Sequence, residues 1–399
     1  MVILTKTGFA QPQTNQWLAE MLQANASLFL KDILDRPDIY QVQIIYTRID
    51  RDKKGEPHFT SFNYNVDAAR YFYPASTVKL PTVALALEKL NKLHIAELDK
   101  NTGMLTDSGH KGQTAIHTDT SAQNKLPSVA HYLKKVFLVS DNDAYSRLFE
   151  FVGQQTLNER LQNMGYTNTL IPRRFFVMPD EDHRYTNPIK FINDRKTVYE
   201  QPVAYSTFKF DFTKDHYIPR VIANSKGQLI ADTLNLATHN TFPLKDQQQI
   251  LQAILFPKSV SKKMRFDLKK DDYALLYEYM SMLPAQSKSP EYNAKTYFDT
   301  YGKFFSYRAD KHSIPPYIYY YNKAGWAYNF LTDNAYIVDT RNHVEYMLSA
   351  VINLNRDTAT GDRYEKTGYP FFKEIGDIIY KHELQRTHPY KPVLTKLIP

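Results

Sequence analysis

Apolar residues recur at helical spacing over residues 13–34, where Trp17, Leu18, Met21, Leu22 and Leu28 share one side, and this predicts a first helix. Residues 40–49 and 59–66 read as two strands around the polar turn Asp52-Lys53-Lys54-Gly55. The run Tyr71-Phe72-Tyr73-Pro74-Ala75-Ser76-Thr77-Val78-Lys79-Leu80-Pro81 leads into Val83, Leu85, Leu87, Leu90 and Leu93, an apolar helix whose proline falls in the first turns, where a missing N–H does little harm. A polar, loop-like stretch covers residues 100–124, and helices are predicted over 129–139, 142–151 and 155–164. Residues 199–236 read as an inserted β-rich piece or long loops, with the alternation Phe208, Phe210, Phe212 predicting a strand. Helices return over 245–255 and 271–282. Three strand-like runs, 317–321, 335–339 and 344–353, then precede a terminal helix over 371–381.

Strands thus come from both chain ends and helices from between them. This predicts one α+β domain over residues 1–399, with an antiparallel sheet flanked by helices. Its sheet lobe spans about 1–70 and 315–399, its all-α lobe about 71–314, with an insertion near 190–240.

Three short motifs stand in order on these elements: Ser76-Thr77-Val78-Lys79, Ser140-Asp141-Asn142 and Lys323-Ala324-Gly325. Residues three apart on a helix are neighbours, so Ser76 and Lys79 share a face, and an unprotonated lysine there can take the serine proton. A serine at a helix start also lies at the positive end of the dipole, which favours an alkoxide and a developing oxyanion. Other Ser-x-x-Lys copies occur at Ser108–Lys111, Ser206–Lys209 and Ser259–Lys262, and a literal Lys-Thr-Gly at Lys366-Thr367-Gly368. Ser206 sits in the strand-like phenylalanine run, where residues three apart face opposite sides. Lys366 has no strand directly before it and reads as a turn. Ser140 ends one predicted helix just before the next begins, 64 residues after Ser76, and Lys323 ends an aromatic strand.

This ordered set resembles the penicillin-recognising serine hydrolases, class A β-lactamases most closely, over most of the chain. The resemblance implies a β-lactamase/transpeptidase-like fold with the active site in the cleft between lobes. Ser76 would be the acylated nucleophile and Lys79 its base or proton shuttle. Ser140 would relay a proton to the leaving nitrogen with Lys323 holding it, and Asn142 would bind the substrate's side-chain amide. The backbone N–H groups of Ser76 and Trp326 would form the oxyanion hole beside Gly325, with Trp326 as a pocket wall. Substrates would be β-lactams or cell-wall peptides, met by a secreted or periplasmic monomer.

Two positions depart from that pattern. Ala324 replaces a hydroxyl residue that holds the substrate carboxylate, a hydrogen bond worth about 1.5–3 kcal/mol to a charged group. Class A enzymes hydrolyse the acyl-enzyme with a loop glutamate, and counting back from Thr186-Asn187-Pro188 places Ile171 there. No carboxylate occurs between Glu159 and Asp180, and Glu181 and Asp182 match the loop's structural acids. A D,D-peptidase or esterase on the same scaffold is therefore the alternative to a β-lactamase, and a non-catalytic cleft-binding protein a third reading.

Bulk properties narrow the rest. With 30 Tyr and 23 Phe, core and pocket walls are expected to be aromatic. No cysteine occurs, which removes disulfides and thiol nucleophiles. The net charge of +8 is spread along the chain without a basic helix, so a solvated basic surface is expected and no nucleic-acid partner. The histidines show no metal-ligand spacing, and neither a metal nor another cofactor is expected. No apolar run reaches the length of a membrane span. The small-x-small triplet Gly8-Phe9-Ala10 before Gln11 reads as the tail of a signal sequence that begins upstream.

Overall fold

The computed structural model describes residues 12–213, 216–223, 228–354 and 363–392; the triplet Gly8-Phe9-Ala10 lies outside them. The chain opens with α1 (Gln16–Asn25), α2 (Leu28–Leu34) and the single turn α3 (Pro37–Tyr40), followed by β1 (Gln43–Arg51) and β2 (Pro57–Tyr64). Next come α4 (Lys79–Lys92), β3 (Gly103–Thr106), α5 (Val129–Val139), α6 (Asn142–Val152), α7 (Gln154–Met164), β4 (Ile189–Asn193) and β5 (Lys196–Gln201). After the hairpin β6 (Tyr217–Ala223) and β7 (Leu229–Asn235) stand α8 (Leu244–Leu255) and α9 (Lys270–Ser281). The chain closes with β8 (Ile318–Asn322), β9 (Gly325–Ala327), β10 (Phe330–Asp339), β11 (Val344–Asn353) and α10 (Tyr369–Gln385).

The main sheet is antiparallel, in the order β2-β1-β11-β10-β8, with β9 also paired to β10. Every residue of β10 and β11 is buried, as expected for central strands covered on both faces. One face, with Tyr321, Tyr336, Val338 and Met347, packs on α4 to α9. The other, with Tyr320, Leu331, Ile337 and Leu348, packs on α1, α2 and α10. Helices therefore flank an antiparallel sheet, and the fold is α+β as expected. Helix α4 is buried nearly all round, so its position is dictated from every side.

Three expectations need correction. The first helix is two, because Ser27 adopts extended backbone and caps α2 through Leu30 N (3.3 Å), while Glu374 of α10 accepts the Ser27 hydroxyl (2.8 Å). The break turns Leu30, Ile33 and Leu34 inward and leaves Leu28 87% exposed; Trp17, half out of the core, packs on Phe62 at 4.6 Å. The Phe208–Phe212 run is not a strand. Arg184 Nη1 donates to the carbonyls of Ser206 and Phe208 (both 2.9 Å), taking acceptors that a neighbouring strand would need, while Phe210 stacks on Phe212 and lies tilted against Phe208. The polar stretch 100–124 contributes β3 to a small sheet with β4 and β5, so the segment between the main-sheet strands is not all-α.

The loop after α7, residues 165–188, is tied to α6 by buried charge. Glu150 accepts from Arg147 at 3.0 Å and Arg174 at 2.8 Å, and Arg174 also donates to Asn187 Oδ1 (3.1 Å) and to the carbonyls of His183 and Tyr185. Burial pushes the Glu150 carboxyl up, against the pull of Arg174 and Arg147. Glu150→Ala would leave the Arg174 guanidinium without its carboxylate in the core and Arg147 with the partly exposed Asp143 (3.3 Å), and should lower unfolding stability by about 3–5 kcal/mol in urea titrations.

Candidate active site

Ser76 lies in a single 3-10 turn, Ala75–Val78, that leads directly into α4, rather than in the α-helix itself. Pro74 starts the turn, and its carbonyl accepts from Thr77 Oγ1 at 2.7 Å. Ala75 is held at φ 46°, a left-handed conformation that costs a non-glycine residue about 1–3 kcal/mol. β9 presses on this turn. A Cβ built on Gly325 would come 2.6 Å from Ser76 N and 2.9 Å from the Pro74 carbonyl, so only glycine permits the approach. The third motif thereby delivers the backbone of Gly325-Trp326 to the turn that carries Ser76.

Lys79 and Ser140 meet across helices. Ser140 is the C-cap of α5, also left-handed at φ 58°, and the next residue, Asp141, caps α6 by accepting from Ala144 N (2.8 Å). Into this junction reaches the fully buried Lys79. Its Nζ donates to the Ser140 carbonyl and to Asn142 Oδ1 (2.6 Å), and lies 3.3 Å from Ser140 Oγ. Lys323 Nζ approaches the same hydroxyl at 2.9 Å and donates to the Ala324 carbonyl at 2.9 Å. Ser140 Oγ therefore stands between two amines. Burial, and then the neighbouring Lys323 charge, holds Lys79 well below the usual lysine range. Burial likewise pushes Lys323 down to about 7. A neutral amine has two N–H groups, and Lys79 has two carbonyl-type oxygens to receive them, which leaves its lone pair for a hydroxyl.

Lys323 is placed by a buried network that the sequence did not reveal. Asn322 Nδ2 donates to Asp333 Oδ1 (2.7 Å), its Oδ1 accepts from Lys303 Nζ (2.8 Å), and Asp333 Oδ2 accepts from the Tyr320 hydroxyl (2.6 Å). These bonds tie the end of β8 to β10 immediately before Lys323.

Ser76 and Asn142 open onto a cavity of about 360 Å³. The structure thus gathers Ser76, Lys79, Ser140, Asn142, Lys323, Gly325 and Trp326 at one place. Trp326 lines the cavity and also packs on Tyr301 at 5.5 Å and Phe304 at 5.9 Å, so it is both wall and core anchor. The cavity also takes in Tyr73, Arg173, His239, Asn240 and Tyr328, which sequence reasoning missed. The adjacent arginines before Phe175-Phe176, in a stretch without carboxylates, were the one available signal. Ile171 is fully buried, its backbone bonded to the Asn158 side chain (2.7 and 3.0 Å). Glu181 accepts from the Tyr205 hydroxyl (2.7 Å) and Asp182 bonds His110 (2.8 Å), both structural tasks. No carboxylate stands among the cavity's lining residues.

The protein is thus an antiparallel sheet with helices on both faces that brings a serine, two lysines and a second serine together at a junction of its elements. The chain belongs to the beta-lactamase enzyme family, whose profile it matches over residues 30–265, more than half its length. No curated protein matches it in sequence. Among solved structures it is similar to a β-lactamase from Sphaerobacter thermophilus (10% identity, TM-score 0.48, covering 90% of this chain and 98% of that one). One from Xanthomonas campestris pv. campestris gives 14%, 0.49, 91% and 98%, and one from Burkholderia phymatum 12%, 0.49, 90% and 99%. Family membership rests on the sequence match alone.

The depressed lysines make stability depend on pH. An unfolded lysine titrates near 10.5 and Lys323 in the fold near 7, so between these values the unfolded chain binds a proton that the fold does not. Stability should therefore rise as pH increases through that window. Urea titrations from pH 7 to 9.5 should show the rise, and Lys323→Met should flatten it.

Proposed function

We propose that this protein is a serine hydrolase that opens β-lactam amides through an acyl-enzyme at Ser76. The observation that carries this is the buried Lys79 amine beside the Ser140 hydroxyl, which Lys323 approaches from its other side. In this reading neutral Lys79 takes the Ser76 Oγ proton as the oxygen attacks the carbonyl carbon. Charge building on the carbonyl oxygen is met by the backbone N–H groups of Ser76 and Trp326. When the C–N bond breaks, Ser140 passes a proton to the leaving nitrogen and recovers one from Lys79, with Lys323 holding its oxygen. Asn142 binds the amide of the acyl side chain. The substrate is a small molecule or cell-wall peptide, the protein acts as a monomer, and a secreted or periplasmic location belongs to the same proposal. Among the described residues no helix is long and apolar enough to cross a membrane.

Deacylation has no glutamate to serve it, since Ile171 occupies that place in the core and the cavity wall has no carboxylate. This favours a second reading, a penicillin-binding D,D-peptidase or esterase in which Lys79 serves both steps and a penicillin remains attached.

Incubation with benzylpenicillin, followed by intact mass over time, tests both. A stoichiometric adduct should form on the wild type and be absent in Ser76→Ala, and Lys79→Ala should slow its formation by about 10²–10⁴-fold, the usual worth of a general base. Drug turnover with loss of the adduct marks a β-lactamase, and a persistent adduct the peptidase reading. A wild type that never acquires an adduct rejects both.

A further inference from the structure

The cavity beside Ser76 has an unusual charge layout. Two arginines line it, and no carboxylate does. Arg174 spends both its terminal nitrogens on Glu150, Asn187 and two carbonyls. Arg173 is not. Its Nη1 donates to the His239 ring (2.8 Å) and its Nε to His183 Nε2 (3.3 Å), while the half-exposed Asp180 is its one anionic neighbour, at 3.2 Å. Burial, and then the arginine charge, pushes His239 down to about 4 and His183 to about 3, so neither adds charge near neutrality. Two uncharged rings thus hold the guanidinium in place, and the charge that meets it comes from a carboxylate about half exposed to water, which screens the pair.

A second observation points to a ligand at the same spot. Tyr73 and Tyr328 wall the cavity next to His239, with ring centroids 4.8 Å apart and each 5.9 Å from the imidazole. Neither the Tyr73 nor the Tyr328 hydroxyl hydrogen-bonds another described residue. Fixed cation and free hydroxyls on one wall match an anion with several acceptor oxygens. Ala324, buried and outside the cavity lining, offers no hydroxyl to a carboxylate. Asn142, which would hold the acyl side chain, shares the cavity with Arg173, so the anion belongs to the acyl portion.

Resting on the serine-hydrolase reading, we propose that Arg173, clamped between His183 and His239, forms with Tyr73 and Tyr328 a carboxylate subsite that selects acyl donors carrying an anionic group on their side chain. The neighbouring Phe175, Phe176 and Val177 give the rest of that side chain an apolar surface.

The test compares α-carboxybenzylpenicillin with benzylpenicillin, which differ by one side-chain carboxylate, on Ser76→Ala protein by titration calorimetry. The carboxylated compound should bind about tenfold tighter, the size expected of one charge-assisted hydrogen bond. The Kd ratio should fall to about one in Ser76→Ala/Arg173→Gln, while Arg173→Lys keeps part of it. Taking the ratio within each protein cancels general losses of folding. Without any second variant, the ratio should also shrink as salt rises, because the site is reached from solvent. Equal affinities, or a preference that survives both Arg173→Gln and salt, overturn the subsite. Since binding to Ser76→Ala needs no acylation, that failure leaves the Ser76 adduct as a separate result, and a missing adduct leaves the preference standing.

Discussion

One primary amine, buried where water cannot reach it, holds the centre of this molecule together. Lys79 extends from α4 across to the α5–α6 junction and supplies the hydrogens that the Ser140 carbonyl and the Asn142 amide would otherwise lack. A buried amine without partners would be costly, and so would those carbonyl groups. The three helices are therefore locked at one separation by a contact that also orients the proposed nucleophile's base. The left-handed backbone at Ser140 is tolerated because packing and these bonds over-determine it. Strain and hydrogen bonding meet here at the same residue.

The remainder of the site is suspended from buried charges that are compensated elsewhere. Asn322 and Asp333 steady the strand end before Lys323, and the Glu150–Arg174 pair fixes the loop that brings Arg173 to the cavity. Such pairs contribute little net stability against well-packed apolar substitutes, and their value lies in geometry. Here the geometry places cations around Ser76 and keeps carboxylates out. The sequence placed Ile171 where the resemblance would have a loop acid, and the loop spends that position on core packing.

Much of this was legible before any coordinates. Apolar periodicity placed α5 to α9 and the central strands within a few residues, and the order of three motifs brought Ser76, Ser140 and Lys323 onto the elements that now meet. Periodicity failed where a single side chain redirected the backbone: Ser27 with Glu374 split the first helix, and Arg184 took the carbonyls that would have made residues 208–212 a strand. Glu374 is remote in sequence from the helix it splits, and Arg184, some twenty residues before the phenylalanine run, reaches it only through the loop's return path. Arg173 and His239 were invisible for the same reason. Their meaning depends on two loops arriving at one wall, which no local spacing encodes.

The sheet that carries β9 is woven from both chain ends, with β1, itself paired to β2, hydrogen-bonded to β11. Such long-range pairing pays loop-closure entropy over most of the chain before it returns any contact, which slows folding. It also means that the turn bearing Ser76 cannot receive Gly325 and Trp326 until more than three hundred residues have been made. Topology thus sets the order of assembly: the turn bearing Ser76 is completed only when the strands that follow residue 317 are in place.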